Sequence, residues 1–310
     1  MSIAAYVSIA RPSHWFKNVF MVPGILLVAL FDRSYLGRDA LPGIVLGFVA
    51  ACLIASSNYV LNEILDAEKD KHHPEKCHRP IPSGQVKVML AYAEWLLLAV
   101  TGVAIAFFVH PLLGSSGLLL WMMGGIYNVP PLRLKDVVYA DVICESINNP
   151  IRLAMGWYAT GFHSMPPLSV LLAYWMFGAF LMAMKRLAEY RMIDDPERAA
   201  RYRRSFAHYN DEKLIESLFF YGAFFGMLSG VFMARYHVEL VLATPLVAYA
   251  MAYYMHLGFK PDSPVQKPEE LWRQKKLMVL VSLAFITCTV LLLVEIPLLR
   301  DAVAPWVLPE

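Results

Sequence analysis

From Pro42 to Asn62 the chain runs 21 residues without a charged side chain. At 1.5 Å per helical residue that length crosses the roughly 30 Å hydrocarbon core of a bilayer. Segments of this kind recur along the 310 residues. They decide the fold class, because a backbone surrounded by lipid has no water to satisfy its N–H and C=O groups, and a helix satisfies them within one segment. Composition agrees: 58% of residues are hydrophobic and the mean hydropathy is +0.49, far from a soluble domain. The expected fold is all-α, a polytopic membrane bundle of nine transmembrane helices. Their cores fall near residues 16–31, 42–62, 88–109, 112–127, 138–160, 167–187, 214–234, 238–257 and 277–298. The first is the shortest, and Pro23 and Gly24 interrupt it.

Charge sets the orientation. With the N-terminus and the linkers after the even-numbered spans on the cytoplasmic side, 22 of the 27 Lys and Arg residues lie there. Arg33, Arg38, Arg235 and Arg300 fall on the other side and Arg152 within a span. That asymmetry predicts a protein integral to the cytoplasmic membrane, with its N-terminus and charged loops cytoplasmic and its C-terminus opposite. Topology thus accounts for the basic excess, and nothing points to nucleic acid as a partner. Three of the four cysteines, Cys52, Cys144 and Cys288, lie in spans and Cys77 in a cytoplasmic loop, so a disulfide framework is not expected. Residues 1–12 lack the apolar core of a cleavable signal peptide.

The expected organisation is a single transmembrane domain over 1–310, with cytoplasmic cap loops at about 63–87 and 188–213. These two most charged linkers are four spans apart on one face, which predicts two similar four-helix halves plus a ninth helix. In the second loop Asp195 is placed to cap a short helix that opens with Pro196.

The first loop, "YVLNEILDAEKDKHHPEKCHRPIPSGQV" from Tyr59, carries the chemistry. If the second helix continues past the bilayer, Asn62, Asp66 and Asp70 recur every four residues, and Glu63 joins Asp66 and Asp70 at i, i+3, i+7. All four then face one side. A stripe of oxygen ligands beside hydrocarbon suits Mg2+, which binds carboxylates and substrate phosphates and keeps waters. The alternative is a solvated helix end whose acids pair with Lys69, Lys71 and Lys76. Lys76 and Arg79 precede a proline-stiffened turn that can direct them, or serve as membrane anchors.

Lys185, Arg186 and Glu189 end the sixth span. The two bases suit an anionic substrate, because lysine and arginine make charge-assisted hydrogen bonds to phosphate. Equally, they can be interfacial bases, with Glu189 pairing a neighbour. In the fifth span Asp141, Glu145, Asn148 and Arg152 share a face if the helix survives Pro150. They form either a structural ion-pair network or the wall of a polar cavity. Glu94 reads as interfacial, and Trp15, Trp272 and Trp306 as interfacial anchors. His72, His73 and His78 lack a second group of transition-metal ligands. Arg198, Arg201, Arg203 and Arg204 read as a basic lipid-facing surface.

Asn-x-x-x-Asp-x-x-x-Asp followed by "HPEKCHRPI" resembles the first aspartate-rich motif of the UbiA superfamily of intramembrane prenyltransferases. "RPSHWFKN" (Arg11 to Asn18), "YNVPPLRLKD" (Tyr127 to Asp136) and "MKRLAEYRM" resemble its decaprenyl-phosphate phosphoribosyltransferase subgroup. The likeness covers most of residues 11–220. It implies a nine-helix fold and a Mg2+-diphosphate site, with Asn62, Asp66 and Asp70 at metal-diphosphate positions. Lys17, Lys76, Arg79, Lys185, Arg186 and Glu189 match polar positions of the family's cavity. Two positions depart: Glu63 stands where the superfamily usually has aspartate, and "ESINNPIRLAMGW" replaces the subgroup's glycine-rich fifth span.

The expected activity is Mg2+-dependent transfer of a phosphoribosyl group from 5-phosphoribosyl 1-diphosphate to a polyprenyl phosphate. Asp66 and Asp70 are the catalytic pair. The metal set is Asn62, Glu63, Asp66 and Asp70, and Lys17, Lys76, Arg79, Asp141, Arg152, Lys185, Arg186 and Glu189 meet substrate. The partners are an isoprenoid lipid, a diphosphate-bearing co-substrate and membrane lipids; an oligomer is compatible with the sequence. One competing reading is prenyl transfer from a prenyl diphosphate to an aromatic or other acceptor, and another a non-enzymatic transporter or scaffold.

Overall fold

The computed structural model describes residues 2–71, 76–193 and 195–303, so His72, His73 and Trp306 lie outside the described residues. Every regular element among them is helical. The chain divides into two compact units, Met1–Met165 and Pro166–Glu310.

The first unit holds α1 (Ile3–Ile9), a 3-10 segment (Pro12–Met21), α2 (Val22–Val28), α3 (Leu41–Asp70), α4 (Val88–Val109), α5 (Pro111–Asn128), α6 (Ala140–Ser146) and α7 (Asn148–Ala159). Its axis is α3, 30 residues long, which runs past the apolar stretch so that its last two turns carry the acids. Helices α4 and α5 pack along it through small residues. At Gly102 a Cβ would sit 3.1 Å from the Ala50 carbonyl oxygen, and at Gly124 it would overlap the Asn58 amide. Close backbone approach of this kind drives helix association where lipid removes the hydrophobic difference. At the charged end α1 lays Ala5 and Ile9 on Val60, Ile64 and Ala67 of α3, together with Ile81, Val86 and Ala91.

Among the described residues, five stretches are long and apolar enough to cross a membrane: Arg38–Asp70, Val88–Val109, Leu168–Ile193, Asp211–Tyr236 and Val238–Gly258. The other four of the nine expected spans are shorter, broken or diluted. The first is split into the 3-10 segment and α2, with prolines at the start of each. Four glycines and two serines dilute α5. The ninth, α12 (Lys275–Leu291), has 17 residues. The fifth breaks at Ile147, between α6 and α7. Pro150 has no N–H for the carbonyl of Ser146, and its ring crowds that carbonyl, so the helix yields one turn before the proline. Asp141 and Glu145 thus lie on α6 and Asn148 and Arg152 on α7, with Ile147 between them still in the right-handed helical region.

That fifth segment belongs to the first unit, where two glycines let it approach α2. A Cβ on Gly24 of α2 would lie 2.0 Å from the Leu153 carbonyl oxygen, and one on Gly156 of α7 would lie 2.0 Å from that of Met21. Gly156→Val should lower stability by about 1–3 kcal/mol, the usual cost of overpacking. The readout is a lower apparent melting temperature in detergent, and an unchanged one would refute the close approach.

The second unit holds α8 (Leu168–Ile193), α9 (Pro196–Tyr202), α10 (Asp211–Tyr236), α11 (Thr244–Gly258), α12 and α13 (Pro297–Val303). Asp195 caps α9 as expected, accepting from the backbone N–H groups of Glu197 (2.9 Å) and Arg198 (3.1 Å). Glu239, a residue with no sequence signal, is fully buried and holds the approach to α13. It accepts from the Ile296 N–H at 3.0 Å and from Arg300 Nε at 3.1 Å.

Candidate active site

An α-helix turns 100° per residue. On α3 this sets Asn62, Asp66, Asp70 and Glu63 across an arc about 100° wide, with Asn62 and Glu63 at its two edges. The arc meets two different loops. On one edge, Asn62 Nδ2 donates to Asp66 Oδ2 at 3.2 Å and to Asn128 Oδ1 at 2.6 Å. The linker after α5 then folds back over Asp66. Lys135 Nζ reaches both Asp66 oxygens at 2.7 and 2.8 Å, and Arg133 Nη2 donates to Oδ1 at 2.7 Å. Asn128 Oδ1 accepts from Lys135 at 3.0 Å, and Asp136 steadies Arg133 Nε at 3.1 Å.

Arg133 sits in the left-handed region at φ 33°, a costly conformation for a residue with a Cβ, held here by its pairs with Asp66 and Asp136. Lys135 is 7% exposed. Burial pushes its ammonium down to about 8, against the attraction of Asp66, with Arg133 adding to the lowering. Anionic ligands in this spot favour the charged ammonium.

The other edge faces the linker between α3 and α4. Arg79 Nη1 donates to Asp70 Oδ2 at 2.6 Å. Lys76 opens the short 3-10 turn Lys76–His78, and its carbonyl accepts from the Arg79 N–H at 3.0 Å. Glu63 is 2% exposed. Its Oε1 accepts from the Ile81 N–H at 3.2 Å and its Oε2 from Arg11 Nη2 at 3.4 Å, so it ties the N-terminal segment and the linker to α3. Within this one arc Asn62 and Asp66 are bonded to the end of α5 and the linker after it, and Glu63 and Asp70 to the linker after α3.

Among the described residues no three His, Cys, Asp or Glu side chains converge as an all-protein metal cage. The donor set nonetheless fits Mg2+, which is commonly held by one or two carboxylates while substrate phosphates and waters complete its shell. Asp66 and Asp70, one turn apart, supply that number.

Deeper in the first unit, Arg152 Nε donates to Asn18 Oδ1 at 2.9 Å, and Asn18 Nδ2 donates to Cys52 Sγ at 3.2 Å. Asp141 is fully buried on α6, and Glu145 accepts from the Tyr127 hydroxyl at 2.9 Å. Lys17 places its Nζ 5.8 Å from the centre of the Tyr59 ring. In the second unit, Arg186, 1% exposed, donates to Glu189 Oε2 at 3.1 Å, and Lys185 lies 3.8 Å from Oε1. Arg133, Lys135 and Asn128 were not among the expected site residues. Their one signal was the segment "YNVPPLRLKD".

The fold is thus a helical bundle with membrane-length helices and acids at the end of its longest helix, clasped by bases from two linkers. Residues 21–270 match the model of the UbiA prenyltransferase family, and the chain belongs to that family. It is accordingly an enzyme and an integral membrane protein, which sets aside the transporter or scaffold reading. Decaprenyl-phosphate phosphoribosyltransferase of Mycobacterium tuberculosis is 31% identical over 193 residues, 62% of each chain. The enzyme of the same name from Mycolicibacterium smegmatis is 28% identical over 213 residues, 68% of this chain and 64% of that one. Both matches span less than two thirds of the relatives' length. Among solved structures, a UbiA homolog from Archaeoglobus fulgidus bound to DMAPP and Mg2+ is similar in fold, with a TM-score of 0.69 at 17% identity over 94% of this chain and 99% of that one.

Proposed function

We propose that the protein transfers a phosphoribosyl group from 5-phosphoribosyl 1-diphosphate to a polyprenyl phosphate at the cytoplasmic face of the membrane. The carrying observation is the Asp66 carboxylate held jointly by Arg133 and Lys135. One acid for a metal and two bases for phosphate oxygens stand within hydrogen-bond reach of each other. The names of the relatives at 28–31% identity support phosphoribosyl transfer over prenyl transfer, and the basic pair Lys185 and Arg186 supports an anionic acceptor. The excess of bases in the linkers that carry the site supports the cytoplasmic placement.

In this reading Asp66 and Asp70, with Asn62, would hold Mg2+, which would supply positive charge to the diphosphate leaving group. Glu63 belongs to the same set through its position on the arc. Arg133, Lys135, Arg79, Lys76 and Lys17 bind phosphate oxygens of the donor, and Asp141 and Arg152 line the polar interior. Lys185 and Arg186, paired with Glu189 within the second unit, offer the charge that an anionic acceptor phosphate would need. The lipid phosphate oxygen attacks ribose C1, the bond from C1 to the diphosphate oxygen breaks, and the diphosphate leaves with the pair of electrons. The acceptor is already ionised near neutral pH, so the chain supplies position and fixed charge rather than a nucleophile or a strong base.

The test offers purified protein radiolabelled phosphoribosyl diphosphate and, separately, labelled prenyl diphosphates, with lipid phosphates and aromatic acceptors. The expected result is label in lipid from the phosphoribosyl donor, abolished by EDTA and restored by Mg2+. Label from the prenyl donor alone overturns the assignment in favour of prenyl transfer, and turnover that persists in EDTA removes the metal.

A further inference from the structure

A 3-10 helix repeats every three residues, so side chains at i, i+3 and i+6 eclipse one another. In the segment Pro12–Met21 one row therefore holds His14 and Lys17, with Arg11 just ahead of it in the left-handed region, and the next holds Trp15, Asn18 and Met21. The second row is docked inward. Trp15 Nε1 donates to Ser56 Oγ at 2.9 Å, and Asn18 bonds Cys52 and Arg152.

The first row converges on one ring. The Arg11 guanidinium carbon lies 5.7 Å and Lys17 Nζ 5.8 Å from the centre of the Tyr59 ring, and the His14 ring meets Tyr59 edge-on at 5.1 Å. Tyr59 lies seven residues before Asp66 and eleven before Asp70 on α3, within the same arc as the acids. Arg11 also pairs with Glu63. Lys17, by contrast, has no carboxylate partner among the described residues. An aromatic face attracts an ammonium without pairing it to an opposite charge, which leaves its donors available to an anionic ligand.

We propose that Tyr59 is a positioning residue, whose ring holds the Lys17 ammonium, with Arg11 and His14 beside it, toward a phosphate group of the bound substrate. This rests on the reading of Asp66 and Asp70 as a Mg2+-diphosphate site. The ring matters for its negative face and not for its hydroxyl, which separates this role from ordinary packing or hydrogen bonding.

The experiment titrates inorganic diphosphate with Mg2+ into full-length protein in lipid nanodiscs by calorimetry. It compares wild type with Tyr59→Phe, Tyr59→Leu and a protein carrying pentafluorophenylalanine at position 59, which keeps the ring's shape and reverses its quadrupole. The expected result is binding within twofold of wild type for Tyr59→Phe and about tenfold weaker for the other two. In turnover the loss should appear in KM for the diphosphate-bearing substrate rather than in kcat. Wild-type affinity in the fluorinated protein overturns the proposal, and so does a Tyr59→Phe loss as large as that of Tyr59→Leu. If Tyr59→Leu does not fold, the fluorinated ring decides alone. Failure of wild type itself to bind diphosphate with Mg2+ overturns the diphosphate reading and this proposal with it. Unchanged binding in the variants overturns this proposal only.

Discussion

Asp66→Asn should lower kcat/KM by about two to three orders of magnitude, the range seen when one preorganised charge at a reacting centre is removed. The change keeps the side chain's size and one acceptor oxygen, so Asn62 retains a partner. What disappears is the negative charge that a divalent cation needs and that balances Arg133 and Lys135. Those bases, 2.7 Å from the carboxylate in the parent, then face one another across a neutral amide. Donor phosphate oxygens remain attractive to them, so the loss should lie more in kcat than in KM. The check is steady-state turnover across a Mg2+ series. Activity above one tenth of wild type at saturating Mg2+ would remove Asp66 from the metal site.

The second large effect concerns stability. Replacing Arg133 and Lys135 together by methionine should destabilise the protein by about 2–4 kcal/mol, because a largely enclosed carboxylate is left without its cations. Methionine preserves the apolar bulk of both side chains, so packing contributes little. Adding Asp66→Asn to the double variant should return most of the lost stability, since position 66 then carries no uncompensated charge and, of the ion pairs, only that of Asp136 with Arg133 stays lost, while activity stays absent. Apparent melting temperatures followed by intrinsic tryptophan fluorescence distinguish the three proteins. A double variant as stable as wild type, or a triple variant no better than the double, would mean that the cluster is not a coupled network.

Much of this site was legible in the sequence, and the unread parts have physical causes. The acids announced themselves because four-residue spacing beyond a 21-residue uncharged run has few structural explanations. Arg133 and Lys135 did not, because bases in that linker are already expected from orientation, and their direction depends on a left-handed Arg133 that no glycine marks. Glu63 was visible as a member of the stripe but not as the acceptor for Ile81 and Arg11, since its partners lie 18 and 52 residues away. Pro150 gave fair warning of a break in the fifth segment, whose position one turn earlier follows from the carbonyl it cannot serve. The basic group of Arg11, His14 and Lys17 was hidden by the habit of reading helices at 3.6 residues per turn. An α-helix would spread three residues at this spacing over about 120°, whereas a 3-10 helix stacks them.

The crossing of α2 and α7 has a consequence for how this chain can vary. Gly24 and Gly156 each press against the other segment's main-chain oxygen rather than against a side chain. A bulkier residue at either place has no opposing side chain to trim, so no single change across the contact can make room. Relief requires a rigid displacement of one helix, which would carry with it Arg152 on α7 and its bond to Asn18, and through them the stacked bases beneath Tyr59. Two hydrogen atoms, one on each α-carbon, thereby set the freedom of a region several turns away.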